Sequence, residues 1–207
     1  MKHTEIKPNQ SIELLKELHI LTRSGSMNQD SRRKLKQVYH LYQFIEPLLK
    51  QLQQNGPINL VDHGAGKSYL GFILYDLFFK LLNDSSQIYS IETRAELVNK
   101  SADLAHKLGF GRMTFLNLSV KESIENAQIP QNIDIVTALH ACDTATDDAI
   151  QFALKRRAKY IVLIPCCQAE IAAMLKKNPQ KNFIAELWQH PIHAREFTFV
   201  KTEKNKL

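Results

Sequence analysis

Between residues 58 and 167 the chain alternates between short apolar runs and stretches of helical period, and this alternation constrains the fold more than any other feature. The runs are INLVDH (58–63), QIYSIE (87–92), MTFLNLS (113–119), IDIVTALHA (133–141) and KYIVLIPCC (159–167). Helical patterns fill the gaps at about 67–82, 94–109, from Val120 onward and at 144–155, and QAEIAAMLKKN (168–178) follows the last run. Strands separated by helices pair in parallel through right-handed crossovers. The runs are apolar throughout rather than alternating, as strands covered on both faces are. The expectation is an α/β fold with a doubly wound, mostly parallel sheet over 56–207, preceded by an N-terminal helical extension over 1–55. Ligands of such sheets bind beyond the carboxyl ends of the strands, so those tips are where chemistry is sought.

The extension holds two helical patterns. QSIELLKELHILT (10–22) is the first, and RSGSMNQ interrupts it. The second runs from about Asp30 to Gln53, with Asp30 or Ser31 as its cap and Leu35, Val38, Leu41, Tyr42, Ile45, Leu48 and Leu49 as its apolar stripe. Pro47 is a candidate kink, and NGP at 55–57 ends the helix. Tyr39, Tyr42 and Phe44 are expected in the core. The run SRRKLK (31–36) gives the extension a basic face.

Charge narrows the partners. The net charge is +6 and the pI about 9.2, which favours an anionic partner, nucleic acid before membrane, against the alternative of a solvated basic surface. No apolar stretch reaches the roughly 18 to 20 residues of a bilayer span, and MKHTEIKPNQ lacks a signal-peptide core. With three cysteines, two of them adjacent, the chain does not resemble a secreted disulfide framework, so a cytoplasmic protein is expected.

The first tip reads VDHGAGKS (61–68). Gly66-Lys67-Ser68 resembles the end of a phosphate-binding loop, but that motif needs a glycine where Val61 stands. What remains is a strand, a tight turn at Gly64 and Gly66, and a helix, as in a Rossmann-like unit. Glu92 closes the second run, where an acid accepts a ribose diol; the competing reading is an acid opening the next helix. Asn117 and Ser119 end the third run, within reach of an adenine edge. His140, Cys142 and Asp143 follow the fourth, and Pro165, Cys166 and Cys167 the fifth. The cysteines read as small core residues, as metal ligands with His140, or as a reactive thiol pair. Adjacent cysteines chelate awkwardly, and no metal is expected.

Dinucleotide oxidoreductases carry a third glycine where this chain has Tyr69. Acid-x-Gly-x-Gly with an acid closing the second strand instead resembles the class I S-adenosylmethionine-dependent methyltransferases. VDHGAGKSYLGF, ALHACDTATDDAI and IVLIPCCQAE together resemble one branch, with D-x-G-x-G-K, L-H-x-C and P-C-C motifs. That branch includes the methyltransferase domain of the glutathione S-transferase C-terminal domain-containing protein, and the resemblance covers about residues 28–197.

It implies S-adenosyl-L-methionine as cofactor, with Asp62, Gly64 and Gly66 at its methionine end, Glu92 on the ribose, and Asn117 and Ser119 near the adenine. His140 and Asp143 would face the sulfonium and act as catalytic groups. Cys142, Pro165, Cys166 and Cys167 would wall the substrate pocket. No N-P-P-[YF] motif follows the fourth strand, so the familiar route to a base amine is not supported. Ser68 departs from the glycine usual in the family. Beyond the fifth strand only Phe197 to Thr202 reads as a further strand, where relatives have two, so a shortened C-terminal end, an open substrate side and an impaired activity are expected. RNA or an RNA-associated protein is the expected acceptor. A non-catalytic cofactor-binding module and a nicotinamide-dependent oxidoreductase are the other readings. The sequence does not specify an oligomeric state.

Overall fold

The computed structural model describes residues 6–139, 144–164 and 198–201. Six strands form one sheet in the order β3-β2-β1-β4-β5-β6. β1 (Asn59–His63), β2 (Gln87–Glu92), β3 (Met113–Asn117), β4 (Ile135–Leu139) and β5 (Tyr160–Ile164) run parallel, as the alternation requires. β6 (Thr198–Lys201) pairs antiparallel with β5, within the stretch expected to give one strand. The helical pattern at 168–178 lies outside the described residues.

Side-chain alternation along β1 sends Leu60 and Asp62 to one face and Val61 and His63 to the other. The first face carries α1 (Ile12–Glu17), α2 (Gln29–Gln53), α3 (Tyr69–Leu77) and α4 (Ala95–Lys107). Its core joins Leu14, Leu35, Leu41 and Ile45 of the extension to Leu60, Phe72 and Ile88. The second face carries α5 (Val120–Glu125) and α6 (Thr144–Lys155), with Phe152 packed on Val61, Val136 and Leu163.

The ends of the elements differ from expectation for local reasons. α1 stops at Glu17 instead of continuing to residue 22, because His19 takes a left-handed φ of 54°. The amides of Ile20 and Leu21 then both turn back to the Leu15 carbonyl, at 2.9 Å each, and bring those two side chains into the core. Asn28, rather than Asp30 or Ser31, caps α2: its Oδ1 accepts the Ser31 amide at 2.8 Å. The α2 stripe is buried, save for half-buried Leu48, and extends to Leu52, but Phe44 is 45% exposed and stands edge-on to His40. Asp76, buried in α3, ties the extension down by accepting the Ser11 amide at 2.8 Å and pairing with Lys80 at 2.6 Å. Among the described residues no helix is long and apolar enough to cross a membrane.

Candidate functional site

The β1–α3 turn reverses direction within five residues through three left-handed conformations, at Gly64 (φ 66°), Gly66 (φ 57°) and Ser68 (φ 51°). Glycine meets the first two without a steric cost; Ser68 holds the third because its amide bonds the Ala65 carbonyl and its own carbonyl starts α3 by accepting the Phe72 amide. α3 therefore begins at Tyr69, two residues later than expected. Val61 lies inside β1, paired with Tyr89 and Val136, so no phosphate loop starts there. A side chain at Gly64 would meet no atom of the described residues within 4 Å.

Two bonds hold the turn to β2. Ala65 donates to the Ile91 carbonyl at 2.9 Å, and Gly66 donates to Glu92 Oε2 at 2.8 Å. The buried Glu92 carboxylate also accepts the Arg94 amide at 3.0 Å, Arg94 Nε at 3.0 Å, Arg94 Nη2 at 3.3 Å and the Thr93 hydroxyl at 3.3 Å. Burial by itself would raise the Glu92 carboxyl. The side-chain and backbone donors of Arg94 and the Gly66 amide outweigh it and hold the group below its ordinary value.

Asp62 points under the first turns of α3. Its Oδ1 accepts the Thr137 hydroxyl at 2.8 Å, and the Gly71 amide donates to the same carboxylate. Burial pushes this carboxyl up to about 7, against the two hydrogen bonds. A Cβ at Gly71 would stand 3.7 Å from Asp62 Oδ2 and 3.4 Å from both Ser90 Oγ and Met113 Cε, at ordinary contact distance. His63, on the opposite face, packs 5.4 Å from Phe152 between ring centroids, and its buried Nε2 has no hydrogen-bond partner among the described residues.

Asp62, Gly64 and Gly66 share one crevice of about 220 Å³ with Lys67, Tyr69, Arg94 and Leu139. Glu92 stands at its edge through Gly66 and Arg94. Asn117 and Ser119 have other bonds. Asn117 Nδ2 donates to the carbonyls of Glu92 and Thr93, at 3.0 and 2.8 Å, and shapes the β2 tip. Ser119 caps α5 in a reciprocal box with Glu122. His140, Cys142, Asp143, Pro165, Cys166 and Cys167 lie outside the described residues. Sequence reasoning misses Arg94 and Thr137. Arg94 carries a signal, its place two positions after Glu92. Thr137 carries none, because it meets Asp62 only through the β1–β4 register that pairs the two.

A protein family described as "Methyltransferase domain" matches residues 33–174, more than half of the chain. The chain belongs to this family. This methyltransferase domain is 25% identical over 174 residues to the glutathione S-transferase C-terminal domain-containing protein of Bos taurus. The match covers 84% of this chain and 25% of that protein. The Homo sapiens protein of that name is 25% identical over 160 residues, 77% of this chain and 23% of its own. The chain thus spans about a quarter of the length of these relatives. Among solved structures, a putative caffeoyl-CoA O-methyltransferase from Staphylococcus aureus superposes with a TM-score of 0.53 at 12% identity, covering 87% of this chain and 78% of its own. The N-terminal domain of human METTL16, solved in complex with SAH, gives 0.51 at 9% identity, with 68% and 59% covered. Both likenesses concern the fold: a Rossmann-like methyltransferase sheet.

Proposed function

We propose that this methyltransferase domain takes its methyl group from S-adenosyl-L-methionine and passes it to RNA or to an RNA-associated protein in the cytoplasm. The observation that carries the cofactor reading is the union of the glycine turn with the acid of β2. A side chain at Gly64 would meet no described protein atom within 4 Å, and the Gly66 amide is bonded to Glu92, 26 residues on, at the tip of the neighbouring strand.

The donor set fits a sulfonium nucleoside. Glu92, held ionised, would accept a ribose diol. Asp62 would meet the ammonium of the methionine end, and that cation would favour its ionised form over the half-protonated one that burial alone produces near neutral pH. Asn117 and Ser119 would shape the adenine end through the backbone they brace. Bound there, the cofactor supplies an electrophilic methyl carbon, and the protein's task is to align a nucleophile with it. His140 or Asp143, directly after β4, would take any proton the acceptor releases. Cys142 and the Pro165-Cys166-Cys167 segment after β5 would wall the acceptor's side.

The acceptor reading is supported by the net charge of +6 and the basic face of α2. The test is calorimetric titration of S-adenosylhomocysteine, with Glu92→Ala and Gly64→Val as variants, followed by transfer of a labelled methyl group to total RNA and to RNA-bound protein. Binding weakened strongly in both variants and label in either pool is expected. A folded chain that binds NADH and not S-adenosylhomocysteine would sink the reading. Cofactor binding without transfer to any pool would favour a non-catalytic module.

A further inference from the structure

A second cavity, about 520 Å³, adjoins the crevice and shares Lys67 and Tyr69 with it. It exists because the N-terminal extension docks onto the sheet domain. Glu17, Leu18 and His19 form one side and α4 the other. Two bonds span it: the Tyr69 hydroxyl donates to the Leu18 carbonyl at 2.9 Å, and Lys107 pairs with Glu17 at 2.6 Å.

Its chemistry alternates. Leu18, Leu97, Leu104 and the Tyr69 ring supply apolar wall. Lys107 and Glu17 neutralise each other. Lys67 and Lys100, both exposed, also line it and have no ion-pair partner among the described residues; Asp103 is the remaining acid.

The rim adds further cations. Arg23 and His19 lie close enough to Glu17 to assist Lys107 in holding its carboxyl below the ordinary value. The Ser31 hydroxyl donates to the His19 carbonyl at 3.2 Å, which joins the rim to the start of α2. There Lys34 and Lys36 are exposed, while Arg33 is paired with Asp30. The start of α2, with the basic run, is thus bonded to a residue that lines the cavity.

Apolar walls interleaved with free cations suit a single polynucleotide strand, whose phosphates meet cations and whose unstacked bases meet apolar or aromatic surface. We propose that this groove holds the single-stranded RNA backbone of the methyl acceptor and feeds the strand past Lys67 and Tyr69 into the crevice. The inference rests on the RNA reading of the acceptor above and adds where the strand lies.

Its test uses the full chain and a fluorescent, mixed-sequence single-stranded oligoribonucleotide, titrated by anisotropy across a salt series. Lys100→Ala and Arg23→Ala leave the cofactor crevice untouched, so S-adenosylhomocysteine titration reports whether each variant is folded and competent. Each variant is expected to weaken RNA binding by about fivefold, with cofactor binding unchanged. The log–log salt dependence should flatten by about 0.7 for each phosphate that the variant no longer neutralises. RNA affinity and salt slope equal to wild type in both variants would overturn the groove while leaving the RNA reading standing. Absence of RNA binding by the wild type, in a chain that binds the cofactor and methylates an RNA-associated protein, would overturn both.

Discussion

Arg94 should weaken cofactor binding, and removing it should strengthen it. A carboxylate offers about four lone-pair sites. At Glu92 two are taken by fixed backbone amides, those of Gly66 and Arg94. The guanidinium takes the other two through Nε and Nη2, and the Thr93 hydroxyl adds a further contact at 3.3 Å. A ribose diol needs two acceptors, so it must displace the guanidinium. That side chain is 63% exposed against 8% for Glu92, so the pair it leaves is screened by water on one side and is weak. Arg94→Ala should therefore bind S-adenosylhomocysteine tighter by a factor of only about two to five. The gain should shrink as salt screens the pair in the wild type. Glu92→Ala provides the counterpart. It removes two charge-assisted bonds to the diol at about 1.5 kcal/mol each, and affinity should fall by roughly 100-fold. Calorimetric titration of both variants at low and high salt is the assay. Weaker binding in Arg94→Ala would refute the displacement argument and show that the guanidinium stays to contact the ligand.

Two further variants probe the scaffold around the site. The Asp62 carboxyl is pushed up to about 7 by burial, so the ligand-free fold holds a proton there that the unfolded chain has released. Its contribution to stability falls as pH rises from about 4 to about 7, at up to about 1.4 kcal/mol per unit. Asp62→Asn keeps one acceptor oxygen and does not titrate, so its stability relative to wild type should rise across that window and level off above it. His63, lowered to about 4 by burial, acts in the opposite sense between about 4 and 6.5, which makes the difference between the two proteins the proper readout. A difference in urea-unfolding free energy that stays flat from pH 4 to 8 would contradict this account. Buried Arg156 donates to the carbonyls of Ser123, Asn126 and Ile129 at 2.7 to 2.9 Å and anchors the segment after α5. Arg156→Met should cost roughly 3 kcal/mol and lower the Tm by about 6 to 12 °C; a shift under about 2 °C would show that water replaces the guanidinium readily.

The legible part of the site was the part written in contiguous residues. The glycine turn at 64 and 66 and the acid at 92 are signals of local backbone need and of position at a strand end, and both stand where the pattern put them. Asn117 and Ser119 were legible as positions but not as partners: a polar side chain at a strand end has several donors and acceptors in reach. Here backbone carbonyls claim the first and a helix cap the second. Helix ends failed for a similar reason. Periodicity marks which residues face the core, but His19 and Ser68, in left-handed conformations, decide where α1 stops and α3 starts.

By itself, the sequence determined the order of the elements, the parallel pairing and which residues end the strands, because hydrophobic period and turn chemistry act within a few residues. The tertiary structure alone decided who meets whom across the chain. The β1–β4 register places Thr137 on Asp62, the β1–β2 pairing brings Glu92 to Gly66, and the docked extension closes a cationic groove beside the crevice. Such contacts join residues 26 to 90 positions apart. They depend on which strands become neighbours and in what register, and no short window of sequence encodes that.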